Sequence, residues 1–89
     1  FAIGVTETER EHLADAVAVY GEALALRPDY LEALYNRAEA HLRTGALDAG
    51  EADFRAWLEK APDDHPRRPD AARELEWIAT TRRELEESE

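Results

Sequence analysis

Three histidines, one serine and a pair of adjacent aspartates carry most of the chemistry this 89-residue chain could perform. His12, His41 and His65 stand far apart along the chain, in three different local settings. Only Asp63-Asp64-His65 groups donors of the kind that hold a metal ion, and a cluster this short reads as a solvated turn. His41, on an apolar helix face, reads as a packed, hydrogen-bonded side chain rather than a ligand. Nucleophilic catalysis needs a nucleophile beside an activating base, but the one serine, Ser88, lies in an acidic tail. There is no thiol, no glycine-rich phosphate loop and no His-Glu-x-x-His motif. The chain is therefore read as non-enzymatic, with no cofactor and no metal site.

Charge narrows the partners. Twenty-one acidic against eleven basic residues give a net charge of -10, which repels nucleic acid and anionic lipid and favours neutral or basic proteins. The balance of 44% apolar and 36% charged residues suits a soluble globular chain, and no apolar run is long enough for a membrane span. With no cysteine, disulfides and Cys-ligated zinc are excluded, so packing alone must hold the single domain that this length permits. The start at Phe1, with Phe1 to Val5 too short for a signal-peptide core, reads as a piece of a longer protein. The compartment is not legible, with the cytoplasm the default for a soluble chain.

The elements that must position these residues are helices. Strong helix formers dominate, and no segment alternates with the period of two that a half-buried strand requires. Thr8 with Glu11, overlapped by Thr6 with Glu9, offers a capping box for a helix over roughly 8 to 26 with the apolar stripe Leu13, Val17, Tyr20 and Leu24. Leu31, Leu34, Ala38, His41 and Leu42 predict a second helix over 31 to 44, closed by Gly45. Leu47, Phe54, Trp57 and Leu58 predict a third over 47 to 60, with Glu51 on its exposed face. The proline-rich linker from Ala61 to Pro69 then leads to a fourth over 70 to 86, with a stripe of Ala71, Leu75, Ile78 and Leu85 and a fraying tail from Glu84. Links this short force neighbouring helices to pack antiparallel.

The chain also repeats itself. The shift that carries Leu13 onto Leu47 also carries Ala16 onto Gly50, Ala18 onto Ala52, Tyr20 onto Phe54, Leu24 onto Leu58, Pro28 onto Pro62 and Asp29 onto Asp63. A helix-turn-helix in each period of about 34 residues, with small residues at helix crossings and a closing proline, resembles the tetratricopeptide repeat. The resemblance implies an all-α stack of antiparallel hairpins within one domain. Residues 8–30 would be the second half of a first repeat, 31–64 a complete repeat, and 70–86 a capping helix. It also implies structural roles for Ala16, Tyr20, Ala23, Pro28, Ala38, Gly50, Phe54 and Pro62, the small ones letting backbones approach and the aromatics filling the wedge between hairpins. Three positions depart from the pattern: Arg37 stands where leucine is usual, His41 where tyrosine is usual, and Trp57 where alanine is usual. A tryptophan there needs extra room, which the long linker would supply by displacing the fourth helix. Near the start, Ile3 and Gly4 match a remnant of the pattern's Leu-Gly pair, whereas Glu7 replaces its tyrosine.

A functional surface is implied by the same resemblance, because the first helices of successive repeats line a concave groove that holds peptides or helices. Glu32, Tyr35, Asn36, Glu39 and Arg43 would face it from the second helix, and Asp70, Arg73, Glu76 and Trp77 from the fourth. Trp77, about 160° from Leu75 around the helix, is expected off the packing stripe and in the contact surface. Family members that grip a C-terminal carboxylate pair asparagines with bases; Asn36 fits, but Pro66 and Asp70 fall where the bases belong, so no carboxylate clamp is expected. The expected function is a non-catalytic protein-interaction module. The alternatives are a self-associating structural domain, or a regulatory domain appended to an enzyme.

Overall fold

The computed structural model describes residues 7–88, and these form four helices: α1 (Glu7–Leu26), α2 (Leu31–Arg43), α3 (Leu47–Lys60) and α4 (Arg68–Glu87). No strand occurs among the described residues. Each helix packs against its neighbours in sequence, giving the order α1, α2, α3, α4; α4 lies along α3 and not along α2. The Ile3-Gly4 remnant, Thr6 of the Thr6–Glu9 box and the opening at Phe1 lie outside the described residues. Thr8 is inside the first turn of α1, so the Thr8–Glu11 pair is not the helix cap.

The turns follow from local chemistry. Pro28 has no N–H to continue α1, and the Tyr30 amide closes the turn by donating to the Arg27 carbonyl at 3.0 Å. Between α2 and α3, Gly45 has φ +86°; its amide donates to the Leu42 carbonyl and the Ala46 amide to that of His41, at 3.0 and 2.8 Å. This is a Schellman motif, and its left-handed residue favours glycine. After α3, Arg68 donates through Nη1 to the carbonyls of Leu58 and Ala61, at 2.8 and 3.1 Å, satisfying helix-end acceptors that would otherwise lack partners. Pro69 sits in the first turn of α4, as its spacing predicts.

The core centres on α2 and α3. Leu34, Tyr35, Ala38 and Leu42 meet Phe54 and Trp57, with Ala71 and Ile78 added from α4. Gly50 is the closest approach: a Cβ built there would lie 2.7 Å from Leu42 Cδ2 and 3.3 Å from the Ala38 carbonyl oxygen. Trp57 is fully buried between Tyr35 and the linker's His65, its ring centroid 5.2 and 4.8 Å from theirs in edge-to-face contacts. The linker thus folds over Trp57, and His65 belongs to that packing rather than to a solvated turn.

Several expectations are corrected. Leu85 is 57% exposed, because the α4 stripe runs past the end of its packing partner, and helical structure continues to Glu87 instead of fraying from Glu84. Glu51 is half-buried rather than exposed, accepting hydrogen bonds from Arg55 at 3.2 Å and Arg82 at 3.3 Å. Arg82 also reaches Asp48 at 2.6 Å, so its guanidinium ties α4 to the start of α3.

Candidate functional site

Two positions that depart from the repeat pattern are explained by one buried acid. Asp53 is 7% exposed and accepts both Nε and Nη2 of Arg37 at 2.8 Å, a bidentate pair spanning α2 and α3, with His41 Nε2 at 3.6 Å from the same carboxylate. The hydrogen bonds to Asp53 hold the Arg37 guanidinium more firmly charged than usual. Asp53 escaped the sequence reading. Its signal was an acid between Gly50 and Trp57 on the inward face of α3, opposite a base standing where leucine is usual. This network ties α2 to α3 within the fold, and its His41 borders a surface depression beside α1.

The open surface lies along α2. A depression of about 250 Å³ is bounded by Leu13, Ala16 and Tyr20 from α1 and by Asn36, Glu39, Ala40 and Arg43 from α2. A second, of about 190 Å³, is bounded by Glu32, Tyr35 and Asn36 of α2, Trp57 of α3 and Arg67 of the linker. Asn36 lines both, so the two depressions share a wall on one face of α2. All five α2 residues expected at the groove line one or the other. They differ in exposure: Glu32, Glu39 and Arg43 are exposed, Asn36 is half-buried, and Tyr35 is 4% exposed, its ring edge-to-face with Phe54 at 5.2 Å. Tyr35 is thus a wall of the site and also part of the core.

Across from α2, Asp70 and Glu74 of α4 act on the same tyrosine. Burial first, then Glu39, Asp70 and Glu74, push the Tyr35 hydroxyl above its usual pKa, with Arg67 pulling the other way. Glu74 is itself raised, by burial first and then by Glu39 and Asp70. Arg73 is exposed and paired with Asp70, and neither depression is lined by Arg73 or Trp77. Trp77 is half-buried against the edge of the core, a correction to its placement off the packing stripe. Sequence reasoning missed Arg67, which lines the second depression, and Glu74, which acts on Tyr35 without lining either, because the linker's path decides where both fall.

α1 contrasts with the rest of the fold. From Leu13 to Leu26 its only charged residues are Asp15 and Glu22, so it is apolar on nearly every side, the composition of a helix covered all round. Yet none of its residues is buried, and Val19 and Leu26 are 61% and 85% exposed. A third depression of about 370 Å³ lies between the two helices, bounded by Ala14 and Val17 of α1 and by His41 and Thr44 at the end of α2. Among the described residues no group of His, Cys, Asp and Glu is arranged to hold a metal, and no helix is long and apolar enough to cross a membrane.

Antiparallel helices in sequential order, crossing closely at small residues and repeating at the interval from Leu13 to Leu47, define a helical-repeat stack. A family model described as Tetratricopeptide repeat matches residues 1–65, and the chain belongs to the tetratricopeptide repeat family. Repeats of this family mediate protein–protein interaction and are typically non-catalytic. The match ends within the linker and leaves α4 outside it. No curated protein matches the chain. No solved structure matches it.

Proposed function

We propose that the chain is a non-catalytic recognition module holding a segment of a protein partner, or of a neighbouring domain, along the face shared by α1 and α2. The observation that carries this reading is the exposure of α1: a helix whose Leu13–Leu26 stretch is apolar on nearly every side has no buried residue and borders a depression of about 250 Å³ whose α2 wall carries Asn36, Glu39 and Arg43. Exposed apolar surface rimmed by polar side chains is the usual mark of a protein contact site. The partner is neutral or basic, because the chain carries -10 and Glu39, Asp70 and Glu74 gather beside the groove. In this reading residues 8–30 and 31–64 supply the repeat surface, and α4 caps the stack on the side of α3.

The test is a photo-crosslinking residue at position 16 of the protein, compared with one at Glu59 on the exposed side of α3. Capture of one partner at position 16 alone, abolished by Glu39→Lys with Arg43→Glu, supports the reading; equal capture at both positions overturns it. A second copy of the chain is the other occupant α1 would suit, and light scattering separates it. A dimer whose formation Leu13→Asp abolishes would make the module self-associating.

A further inference from the structure

The smaller depression, between α2, α3 and the linker, has walls of unusual rigidity for its size. Tyr35 and Trp57 are 4% and 1% exposed and stand edge-to-face; Phe54 backs the tyrosine and His65 backs the tryptophan, so neither ring is free to turn away. Its volume falls below the roughly 300–1,000 Å³ of clefts that hold small-molecule ligands, and suits one side chain. One cation already touches it: the guanidinium carbon of Arg67 lies 4.8 Å from the centroid of the Tyr35 ring. Among the described residues the Arg67 side chain forms no ion pair and donates no hydrogen bond, so the aromatic face alone holds it.

The surrounding charge points one way. Glu32 lines the pocket, and Glu39, Asp70 and Glu74 all bear on Tyr35. Arg73, the base nearest these acids on α4, is already paired with Asp70. The quadrupole of an aromatic face attracts cations, and a carboxylate on the rim adds to that attraction. We propose that this pocket is a subsite for one arginine or lysine side chain of the bound partner, with Arg67 as a built-in occupant that the incoming cation displaces from the face of Tyr35. Because Asn36 is shared with the α1–α2 depression, a segment lying along α2 reaches both, and the proposal rests on that groove being the partner's path. The opposite chemistry, a carboxylate held by Arg67 and Asn36, is the competing outcome.

The experiment follows the indole N–H resonance of Trp57 in the ¹⁵N-labelled chain during titration with acetyl-Ala-Ala-Arg-Ala-Ala-amide. Parallel titrations use its lysine and citrulline counterparts and an all-alanine peptide with a free carboxylate. The arginine and lysine peptides are expected to shift the resonance saturably, and the citrulline and carboxylate peptides to leave it in place. Arg67→Ala is expected to tighten the arginine peptide by about two- to fivefold, the size of one displaced exposed cation–π contact. Glu32→Gln is expected to weaken it by about twofold or more. The exposed position of Arg67 keeps its variant folded, which thermal melting verifies. Weaker arginine binding in Arg67→Ala, citrulline binding as well as arginine, or a carboxylate peptide whose binding requires Arg67 would each overturn the proposal. So would the absence of any saturable shift in both the parent and Arg67→Ala. If position 16 still captures its partner while the arginine peptide fails, only the subsite is wrong. Loss of selective capture, with arginine still bound, would instead sink the groove reading.

Discussion

Tyr20 and Phe54 hold the same place in two stretches of the chain one repeat apart, yet Phe54 is fully buried and Tyr20 is only half-buried. The same holds for Ala16 against Gly50, the first half-buried and the second buried. Sequence does not explain the difference, because α1 is the more apolar helix over its second half. Neighbours do: α3 packs between α2 and α4, whereas α1 has α2 on one flank and no described helix on the other. In a stack of this kind each unit buries its apolar face only against the next, so a position's energetic weight is set by how many sides are covered. A stripe that is core in α3 is left half-exposed in α1.

Truncating the paired aromatics should give the largest contrast. Phe54→Ala is expected to cost about 3–5 kcal/mol, much of the roughly 5–10 kcal/mol available to a domain of this size, while Tyr20→Ala costs about 1 kcal/mol. Urea denaturation followed by circular dichroism measures both, and equal losses would break the comparison. Enlarging the small residues comes next. Gly50→Leu drives a side chain into Leu42 and the Ala38 carbonyl, for which about 1–3 kcal/mol or more is expected, and Ala38→Leu from the facing helix should behave alike. Ala16→Leu, beside an open depression, should change the melting temperature little, with exposed Glu59→Gln as the silent control. If Ala16→Leu melts as low as Gly50→Leu, α1 is covered in solution, and light scattering would identify a second copy as the cover.

The Asp53 network sharpens the picture of the two-sided core. Asp53→Ala leaves Arg37 charged and without its partner in a partly buried site, and about 1–3 kcal/mol of destabilisation is expected. Replacing both residues by leucine should restore most of that loss, since an apolar pair avoids desolvating two charges. A double variant no more stable than Asp53→Ala would mean that the ion pair is needed for a unique α2–α3 register.

How much of this was legible beforehand depended on range. Helix ends were legible because capping, proline and glycine act locally: Gly45 closes α2 and Pro28 stops α1 wherever the rest of the chain goes. The repeat register found the crossing at Gly50 because small size is visible in sequence. Charges at helix faces were not legible, since Arg37 became a core residue only through Asp53, sixteen residues away on another helix. The α4 side of the site was the least readable. A linker with three prolines sets the rotation of α4, which brings Asp70 and Glu74 rather than Arg73 and Trp77 to Tyr35.

The smallest expected effect tests that α4 placement directly. Glu74 has a folded-state pKa above its ordinary value, through burial first and then through Glu39 across the groove and Asp70 one turn earlier, with Arg73 opposing. A carboxyl raised on folding binds more protons in the native than in the unfolded state, so its contribution to stability falls as pH rises from the ordinary carboxylate range through the raised folded value. At neutral pH the charged Glu74 is therefore a net liability, and Glu74→Gln should melt slightly higher than the parent. The gap should close in acid, below the ordinary range, where Glu74 is protonated in both states. The two proteins share every other carboxylate, so the difference between their melting curves reports Glu74 together with its coupling to Glu39 and Asp70. Added salt should shrink the part of the gap due to Glu39 and Asp70 and leave the part due to burial. A Glu74→Gln variant that melts with the parent at every pH would mean that α4 does not turn Glu74 toward α2. In that case the acids bearing on the proposed cation subsite would lose Glu74 and keep Glu32 in its lining, with Glu39 and Asp70 acting on Tyr35.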